Sequence, residues 1–119
     1  MIGNKYGNKK VEIDGIKFDS KKEANYYCKL KLLEKGQVIK DLELQKSFEL
    51  QPSFKIGKNT YRKIEYRADF CYKTIQDNKL HVVDTKGFRT KEYLLKKKML
   101  AYKYKIEIEE VWYDSIWSE

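Results

Sequence analysis

The chain has 119 residues and a formal net charge of +8, from 26 Lys and Arg against 18 Asp and Glu. This length predicts one domain, and the two widely spaced cysteines indicate neither a disulfide framework nor a zinc site. No apolar run is long enough to cross a membrane, so we expect a protein of the reducing cytoplasm. The basic balance favours nucleic acid as a partner, although the lysines could equally serve solubility.

The chain begins with a polar segment that precedes an alternating one. Residues 1–10 are basic and contain Gly and Asn, so we expect a flexible basic arm ahead of a single domain over residues 11–119. The pair Asp14-Gly15 interrupts an alternating apolar pattern and predicts a small hairpin.

A capped helix is predicted next. Either Asp19 or Ser20 can serve as N-cap of a helix that runs to about Lys35 and ends at Gly36. If Ser20 is the cap, Glu23 completes the Ser-x-x-Glu pattern of a capping box. Glu23 also shares the apolar stripe of this helix, so it is a cap residue or a site residue, and the two roles are compatible.

Strands dominate the middle of the sequence. Alternation predicts strands over residues 38–45, 47–50, 62–74 and 80–85, with a connection that contains Pro52. A second helix is predicted from about Thr90 to Tyr104, and a last strand over residues 105–112. The order helix, meander, helix, strand predicts an α/β (α+β) domain with a mixed central sheet flanked by helices.

Two acidic residues lie in predicted strands, where a carboxylate is unfavourable without a partner. Strand side chains repeat with period two, so Asp84 and Lys86 should point to the same face about 7 Å apart. Asp69 lies mid-strand, on the face of Arg67 and Cys71, and an ionised Asp there is costly unless it is paired or binds a metal. A salt bridge from Asp69 to Arg67 or a neighbouring lysine is the simpler explanation for this residue alone. Together with Glu23, however, these acids supply the oxygen ligands that a divalent metal takes.

The spacing of these residues resembles the PD-(D/E)XK nuclease superfamily over roughly residues 16–112. Asp69 matches the first acid, Asp84-Thr85-Lys86 matches (D/E)-x-K, and Glu23 matches the helix-borne acid of many members, although Ala68 stands where the name has proline. Residues 18–24, 42–45, 66–70 and 82–87 further resemble a phage and prophage family of formerly unknown function, regarded as endonuclease-like and similar to Holliday-junction resolvases. The resemblance implies a restriction-endonuclease-like core.

The resemblance also implies a metal-dependent DNA endonuclease and assigns roles to its residues. Asp69, Asp84 and the backbone carbonyl of Thr85 would hold Mg²⁺, or Mn²⁺, with Glu23 ligating directly or through water. Lys86 would orient the attacking water or offset charge on the phosphate. Gln45 is an accessory candidate, and an ordinary strand-end amide explains it equally well.

Contacts to DNA are predicted around the second helix. A lysine run is often only a solvated face, and Lys96 and Lys97 fit one. Lys98 instead falls beside Tyr102, a predicted core residue, where a lysine must snorkel or meet a charged partner, which could bring it to the site. The candidate phosphate contacts are Arg89, Lys91, Lys96 and Lys98.

The substrate and assembly are predicted from size and family analogy. A homodimer would present two active sites, as symmetric cutting of a four-way junction or another branched recombination intermediate requires. A phage-encoded enzyme would act in the cytoplasm of its bacterial host. The alternatives are a nicking or transposase-like endonuclease, a nucleic-acid-binding module that keeps the nuclease fold without turnover, and a basic protein-interaction adaptor. The last two leave the acids unexplained.

Overall fold

The computed structural model describes residues 10–86 and 88–112, and it contains two helices and eight strands there. The elements in chain order are β1 (Val11–Ile13), β2 (Ile16–Phe18), α1 (Lys21–Lys35), β3 (Ile39–Gln51), β4 (Phe54–Ile56), β5 (Asn59–Tyr61), β6 (Ile64–Thr74), β7 (Leu80–Lys86), α2 (Lys91–Tyr104) and β8 (Glu109–Trp112).

A four-stranded mixed sheet in the order β3-β6-β7-β8 forms the centre of the molecule. The strands β3, β6 and β7 make an antiparallel meander, and β8 lies parallel to β7. A parallel neighbour needs a long crossover connection, which α2 provides. The prediction of a mixed α+β domain with the order helix, meander, helix, strand is therefore confirmed.

Each face of the sheet carries its own buried cluster. Leu30 of α1 packs in the cluster that contains Val83, and Leu100 of α2 packs in the cluster that contains Val82. Because successive residues of a strand point to opposite faces, the two helices cover opposite faces of the sheet. Neither helix is both long and apolar enough to cross a membrane, within the part of the chain that the structure describes.

Both helices begin at the residues that the sequence indicates. The Ser20 hydroxyl accepts a hydrogen bond from the Glu23 amide at 3.1 Å, and the Thr90 hydroxyl accepts one from the Tyr93 amide at 3.0 Å. These caps satisfy amides that have no partner within the helix. Gly36 ends α1, as predicted.

The predicted strand boundaries are wrong in three places. The two strands expected over residues 38–50 are one continuous strand, β3, because β6 offers it a ladder along most of its length. The connection that contains Pro52 holds the short hairpin β4–β5. The last strand begins at Glu109 rather than Lys105, because Lys105 adopts a left-handed conformation (φ 58°) that ends α2.

In the middle of β3 and β6, the alternation of side chains between the two faces of the sheet is interrupted. Ala68 packs in the cluster of α2, Phe70 packs in the cluster of α1, and Cys71 returns to the first cluster. Strict alternation, which underlies the prediction that Asp69 shares a face with Arg67 and Cys71, would also put Ala68 and Phe70 on one face, and this is wrong. The pairing register places Gln45 opposite Asp69 at this point, and Gln45 has a φ of 55°, which breaks the period-two alternation.

Candidate active site

The strands β6 and β7 separate at one end of their ladder. Their last paired residues are Phe70 and Val83, and the next position along each strand holds Asp69 and Asp84. Beyond this point β6 stays with β3, while β7 stays paired with β8 as far as Lys86. The two aspartates therefore face each other at the mouth of a fork between the strands.

The side chain of Asp69 bridges this fork. Its Oδ2 accepts hydrogen bonds from the Thr85 amide at 2.8 Å and from the Thr85 hydroxyl at 2.9 Å. The Asp69 carboxylate thus replaces a backbone carbonyl as the acceptor for the Thr85 amide. This amide therefore stays hydrogen-bonded where β6 and β7 separate. The salt bridge to Arg67 that the sequence suggests is not among the ion pairs of residues 10–86 and 88–112. Thr85 therefore orients Asp69 without neutralising it.

The carboxylate of Asp84 is buried and held by two donors. The Tyr66 hydroxyl donates to its Oδ2 at 2.5 Å, and Nζ of Lys86 lies 3.1 Å from its Oδ1. The prediction that Asp84 and Lys86 share a face is confirmed by this contact. Lys86 also lies over the ring of Tyr93, with Nζ 3.6 Å from the ring centroid, so two neighbours fix its ammonium group.

Glu23, in the first turn of α1, is close enough to Asp69 and Asp84 for their charges to act on it, and these three residues form the acidic cluster. The side chain of Glu23 is buried, at 8% exposure, although the cap of α1 uses only its backbone amide. Burial raises the pKa of Glu23 to about 7, and the charges of Asp69, Asp19 and Asp84 add to this rise. The cap alone therefore does not account for this carboxyl group, whose electrostatic neighbours are other acids.

Negative charge in this cluster is only partly offset. Burial and the charge of Asp84 raise the pKa of Asp69 to about 6, against the opposing effect of the hydrogen bonds from Thr85. Burial and the charge of Asp84 also raise the pKa of the Tyr66 hydroxyl, which therefore remains a donor. Acids whose pKa values rise together in this way are more typical of functional sites than of structural ion pairs.

The donor set of the cluster fits a hard cation that also keeps water ligands. Among the described residues, no three Asp, Glu, His or Cys side chains form a group that could hold one metal ion. Mg²⁺ usually takes only one or two carboxylates and retains several waters. The carboxylates of Asp69 and Asp84 meet that number, and Glu23 does not join them as a third direct ligand within the described residues.

An open cleft adjoins the acidic cluster. Its volume is about 260 Å³, and the start of α2 borders it. Three cations, Arg67, Lys86 and Lys96, line it together with Asp84 and Glu92, which pair with Lys86 and Lys96 at 3.1 Å each. The small excess of positive charge and the positive end of the helix dipole favour an anion there. The lining residues are Tyr66, Arg67, Asp84, Lys86, Thr90, Glu92, Tyr93 and Lys96.

The four predicted phosphate contacts lie in different environments. Lys96 borders the cleft, and Lys91 is exposed at the first residue of α2. Arg89 is bound instead to the buried carboxylate of Glu110 on β8, at 2.6 Å. Lys98 is exposed and lines a separate groove on the far part of α2. The structure therefore brings only Lys96 of these four to the wall of the cleft.

The apolar side of α2 differs from the predicted one. Tyr93 and Leu100 are buried, whereas the predicted core residue Tyr102 is 82% exposed. Lys98 therefore lies on the exposed side, and the expectation that it shares the buried face is wrong. The partly buried lysines are Lys96 and Lys97, because they find carboxylate partners in Glu92 and in Glu110 of β8.

Sequence reasoning missed three residues that shape the site: Tyr66, Arg67 and Tyr93. Strict alternation places Tyr66 and Asp69 on opposite faces, and the change of faces at Asp69 removes that separation. Tyr93 reads as an ordinary core tyrosine, although its ring supports Lys86 and its hydroxyl donates to Glu110 at 2.7 Å. Gln45, the predicted accessory residue, lies opposite Asp69 but is exposed.

These observations define a mixed α+β domain with an acidic cluster at a fork in its sheet, beside a cleft lined by three cations and two carboxylates. The chain belongs to the family described as "Protein of unknown function (DUF1064)", which it matches over residues 3–116. No curated protein and no solved structure matches the sequence.

Proposed function

We propose that the protein is a metal-dependent DNA endonuclease that hydrolyses phosphodiester bonds. One observation carries the proposal: Asp69 and Asp84 meet at the fork between β6 and β7, and Lys86 contacts Asp84 beside a cleft whose lining includes Arg67 and Lys96. A protein that only binds DNA gains nothing from carboxylates at this position, because they repel phosphate. A hydrolase needs them to hold a metal ion.

Mg²⁺, or Mn²⁺, is the cofactor that suits this donor set. Asp69, Asp84 and the carbonyl of Thr85 would hold it, with Glu23 in contact through water. A bound ion would make water more acidic and offset the charge of the phosphate. The chain orients these carboxylates in advance, through Thr85 on Asp69 and Tyr66 on Asp84.

The cations of the chain position the substrate. Lys86, fixed between Asp84 and the ring of Tyr93, would orient the attacking water or offset charge on the attacked phosphate. Arg67 and Lys96, together with the start of α2, would hold neighbouring phosphates. In-line attack on a phosphodiester depends chiefly on positioning and charge compensation, which these groups supply.

The finer fold and the substrate follow from the resemblance. The order helix, meander, helix, strand supports a restriction-endonuclease-like core of the PD-(D/E)XK type. Branched recombination DNA of a phage or prophage, such as a four-way junction, is the substrate that size and family resemblance support. A homodimer would cut such a junction symmetrically.

Cleavage assays on junction, duplex and single-stranded DNA, with Mg²⁺ or with EDTA, test the proposal. The protein should cut at least one substrate with Mg²⁺ and none with EDTA. Asp84→Asn should slow cutting about 1,000-fold or more, because it weakens a metal ligand worth several kcal/mol in the transition state. Asp41→Asn is the matched control, since Asp41 is exposed with a φ of 56°, which Asn tolerates.

Two results would reject the proposal in different ways. DNA binding without metal-dependent cutting of any of the three substrates would identify a non-catalytic binding module. Cutting that survives Asp84→Asn at the control rate would mean that hydrolysis occurs at another site.

A further inference from the structure

A second basic feature lies outside the cleft, on the β4–β5 hairpin. Residues 52–63 connect β3 to β6, and every one of them is exposed. This segment carries four basic residues and no acidic one. It therefore concentrates positive charge on a part of the chain that adds nothing to either buried cluster.

The hairpin is regular although it has no core. The rings of Phe54 and Tyr61 stack with centroids 4.9 Å apart and planes 13° apart. Gly57, with a φ of 61°, and Lys58 form a two-residue turn of the kind that favours glycine at its first position. A two-stranded hairpin in water is only marginally stable. Exposed aromatic residues on such an element suggest a role in contacting a partner.

The two faces of the hairpin differ in chemistry. Phe54 pairs with Tyr61 and Lys55 pairs with Thr60, so the aromatic residues share one face with Ile56 and Lys55 lies on the other. The apolar face is open, since Ile56 is 64% exposed, Tyr61 44% and Phe54 41%.

The positive charge of the hairpin is largely available for a partner. Lys63 contacts Glu65 at 2.9 Å, whereas the ion pairs found within residues 10–86 and 88–112 do not include Lys55, Lys58 or Arg62. A hairpin that carries cations as well as an apolar aromatic face is complementary to nucleic acid, which offers both phosphates and base surfaces. A second copy of the chain is a poorer fit, because it also carries a net charge of +8.

We propose that the β4–β5 hairpin binds DNA at a distance from the cut, with its lysines on phosphates and its apolar face in a groove. Arg62 precedes Asp69 by seven residues on the same ribbon. At roughly 3.3 Å per residue this is about 23 Å, or about seven base pairs at 3.4 Å each. The inference deepens the proposed function and rests on it only in taking DNA as the partner.

Binding is measured apart from cutting by placing all variants in an Asp84→Asn background. The double variant Lys55→Ala with Lys58→Ala is compared with Lys10→Ala with Lys17→Ala, which removes the same charge from exposed positions at and next to the β1–β2 hairpin. Fluorescence anisotropy with a labelled four-way junction over a NaCl series gives affinity and salt slope. The first pair should lower the slope by about 1.8 and the affinity about tenfold, and the control should change neither.

The apolar face is tested with Phe54→Ala and Tyr61→Ala together. This variant should bind about tenfold more weakly with little change in salt slope, because it removes stacking and groove contacts rather than charge. Hydroxyl-radical footprinting should show lost protection about seven base pairs from the cut and retained protection at the cut. Circular dichroism checks that each variant keeps its secondary structure.

The possible results separate this inference from the proposed function. Equal affinities and slopes for the hairpin and control variants would overturn it, whether or not the wild type cuts DNA. Dissociation of a dimer by the hairpin variants in sedimentation, with DNA affinity per chain unchanged, would assign the hairpin to a second copy and overturn it too. If binding depends on the hairpin but the wild-type protein cuts none of the substrates, this inference is upheld and the proposed endonuclease activity is rejected.

Discussion

Tyr93 contacts both Glu110 and Lys86, and the carboxylate of Glu110 and the acidic cluster beside Lys86 have opposite electrostatics. Glu110 on β8 accepts hydrogen bonds from Arg89 at 2.6 Å, from the Tyr93 hydroxyl at 2.7 Å and from Lys97 at 3.0 Å. The Arg89 contact first, and then the contacts of Tyr93 and Lys97, lower the pKa of Glu110 to about 2. This carboxylate is fully compensated.

The acidic cluster at the fork has the reverse character. Among the ion pairs of residues 10–86 and 88–112, Lys86 pairs with Asp84 and with no other acid, while burial and mutual repulsion raise the pKa of Glu23 to about 7 and that of Asp69 to about 6. A compensated carboxylate stabilises the fold, whereas carboxylates that repel each other lower its stability. The second arrangement makes physical sense where a cation is to bind, and four substitutions or conditions can test this contrast.

The largest expected effect is the loss of DNA cleavage in the Asp69→Asn variant. The rate should fall about 1,000-fold or more, because a metal ligand is weakened. The free energy of unfolding in EDTA should rise by about 1 kcal/mol, because Asn can still accept from Thr85 while one of the like charges is gone. Junction cleavage and urea unfolding measure the two quantities. A loss of stability instead of a gain would make Asp69 a structural anchor and break the contrast.

The substitution Glu110→Gln should act in the opposite way. It leaves the guanidinium of Arg89 and the ammonium of Lys97 without their carboxylate. Because both cations are partly exposed, the loss of these charge-assisted hydrogen bonds should cost about 2 kcal/mol of stability. Cutting well below the unfolding temperature should change less than about tenfold, because Lys86 and Asp84 keep their contacts. Glu107→Gln, at an exposed position just before β8, is the control in urea unfolding. Equal stability of the two variants would show that Glu110 is not the compensated anchor.

The fold was largely predictable because local signals agree with tertiary structure. Ser20 and Thr90 are N-caps by side-chain chemistry alone, and both helices begin after them. The spacing between Asp69 and Asp84 spans one hairpin, so pairing of β6 with β7 necessarily brings the two residues together. The short β4–β5 hairpin was missed because all residues of its two strands are exposed, so they show no alternating buried pattern.

The unpredicted parts of the site depend on contacts between distant elements. Opposite Gln45, the residues of β6 switch the face of the sheet to which they point, and this switch brings Tyr66 to Asp84. A periodic sequence pattern does not predict such a switch. The helix α2 buries Tyr93 and Leu100, and Lys97 bonds to Glu110 on β8 although hydrophobicity predicts that this lysine points outward. The amphipathic pattern of α2 therefore does not reveal this tertiary ion pair.

The pH dependence of stability should separate the two groups. The lowered pKa of Glu110, about 2 against 4.5, contributes stability above pH 4.5 that is lost as the pH falls towards 2. The raised pKa of Glu23, about 7, has the opposite sign: folding favours its protonated form, so stability falls as the pH rises from 4.5 through 7. Urea unfolding in EDTA should therefore show greatest stability near pH 5, and Glu23→Gln should remove about 2 kcal/mol of the decline towards pH 8. A flat profile between pH 5 and 8 would contradict the repulsion at the fork.

The smallest expected effect concerns the orientation of Asp84 by Tyr66. Tyr66→Phe removes the hydroxyl that donates to Asp84 and keeps the ring, which stacks with Phe48 at a centroid distance of 6.5 Å. Cutting should slow about tenfold, which corresponds to one hydrogen bond to a charged group of about 1.4 kcal/mol, and stability should change by less than that because the like-charged cluster is relaxed as well. Tyr27→Phe is the matched control, since it removes a 3.0 Å hydrogen bond to Asp14 away from the fork, and it should leave cutting unchanged. Equal rates for the two variants would mean that Lys86 alone orients Asp84. A slower Tyr66→Phe enzyme of wild-type stability would show that a buried hydrogen bond at the fork serves the reaction, whereas the bonds to Glu110 serve the fold.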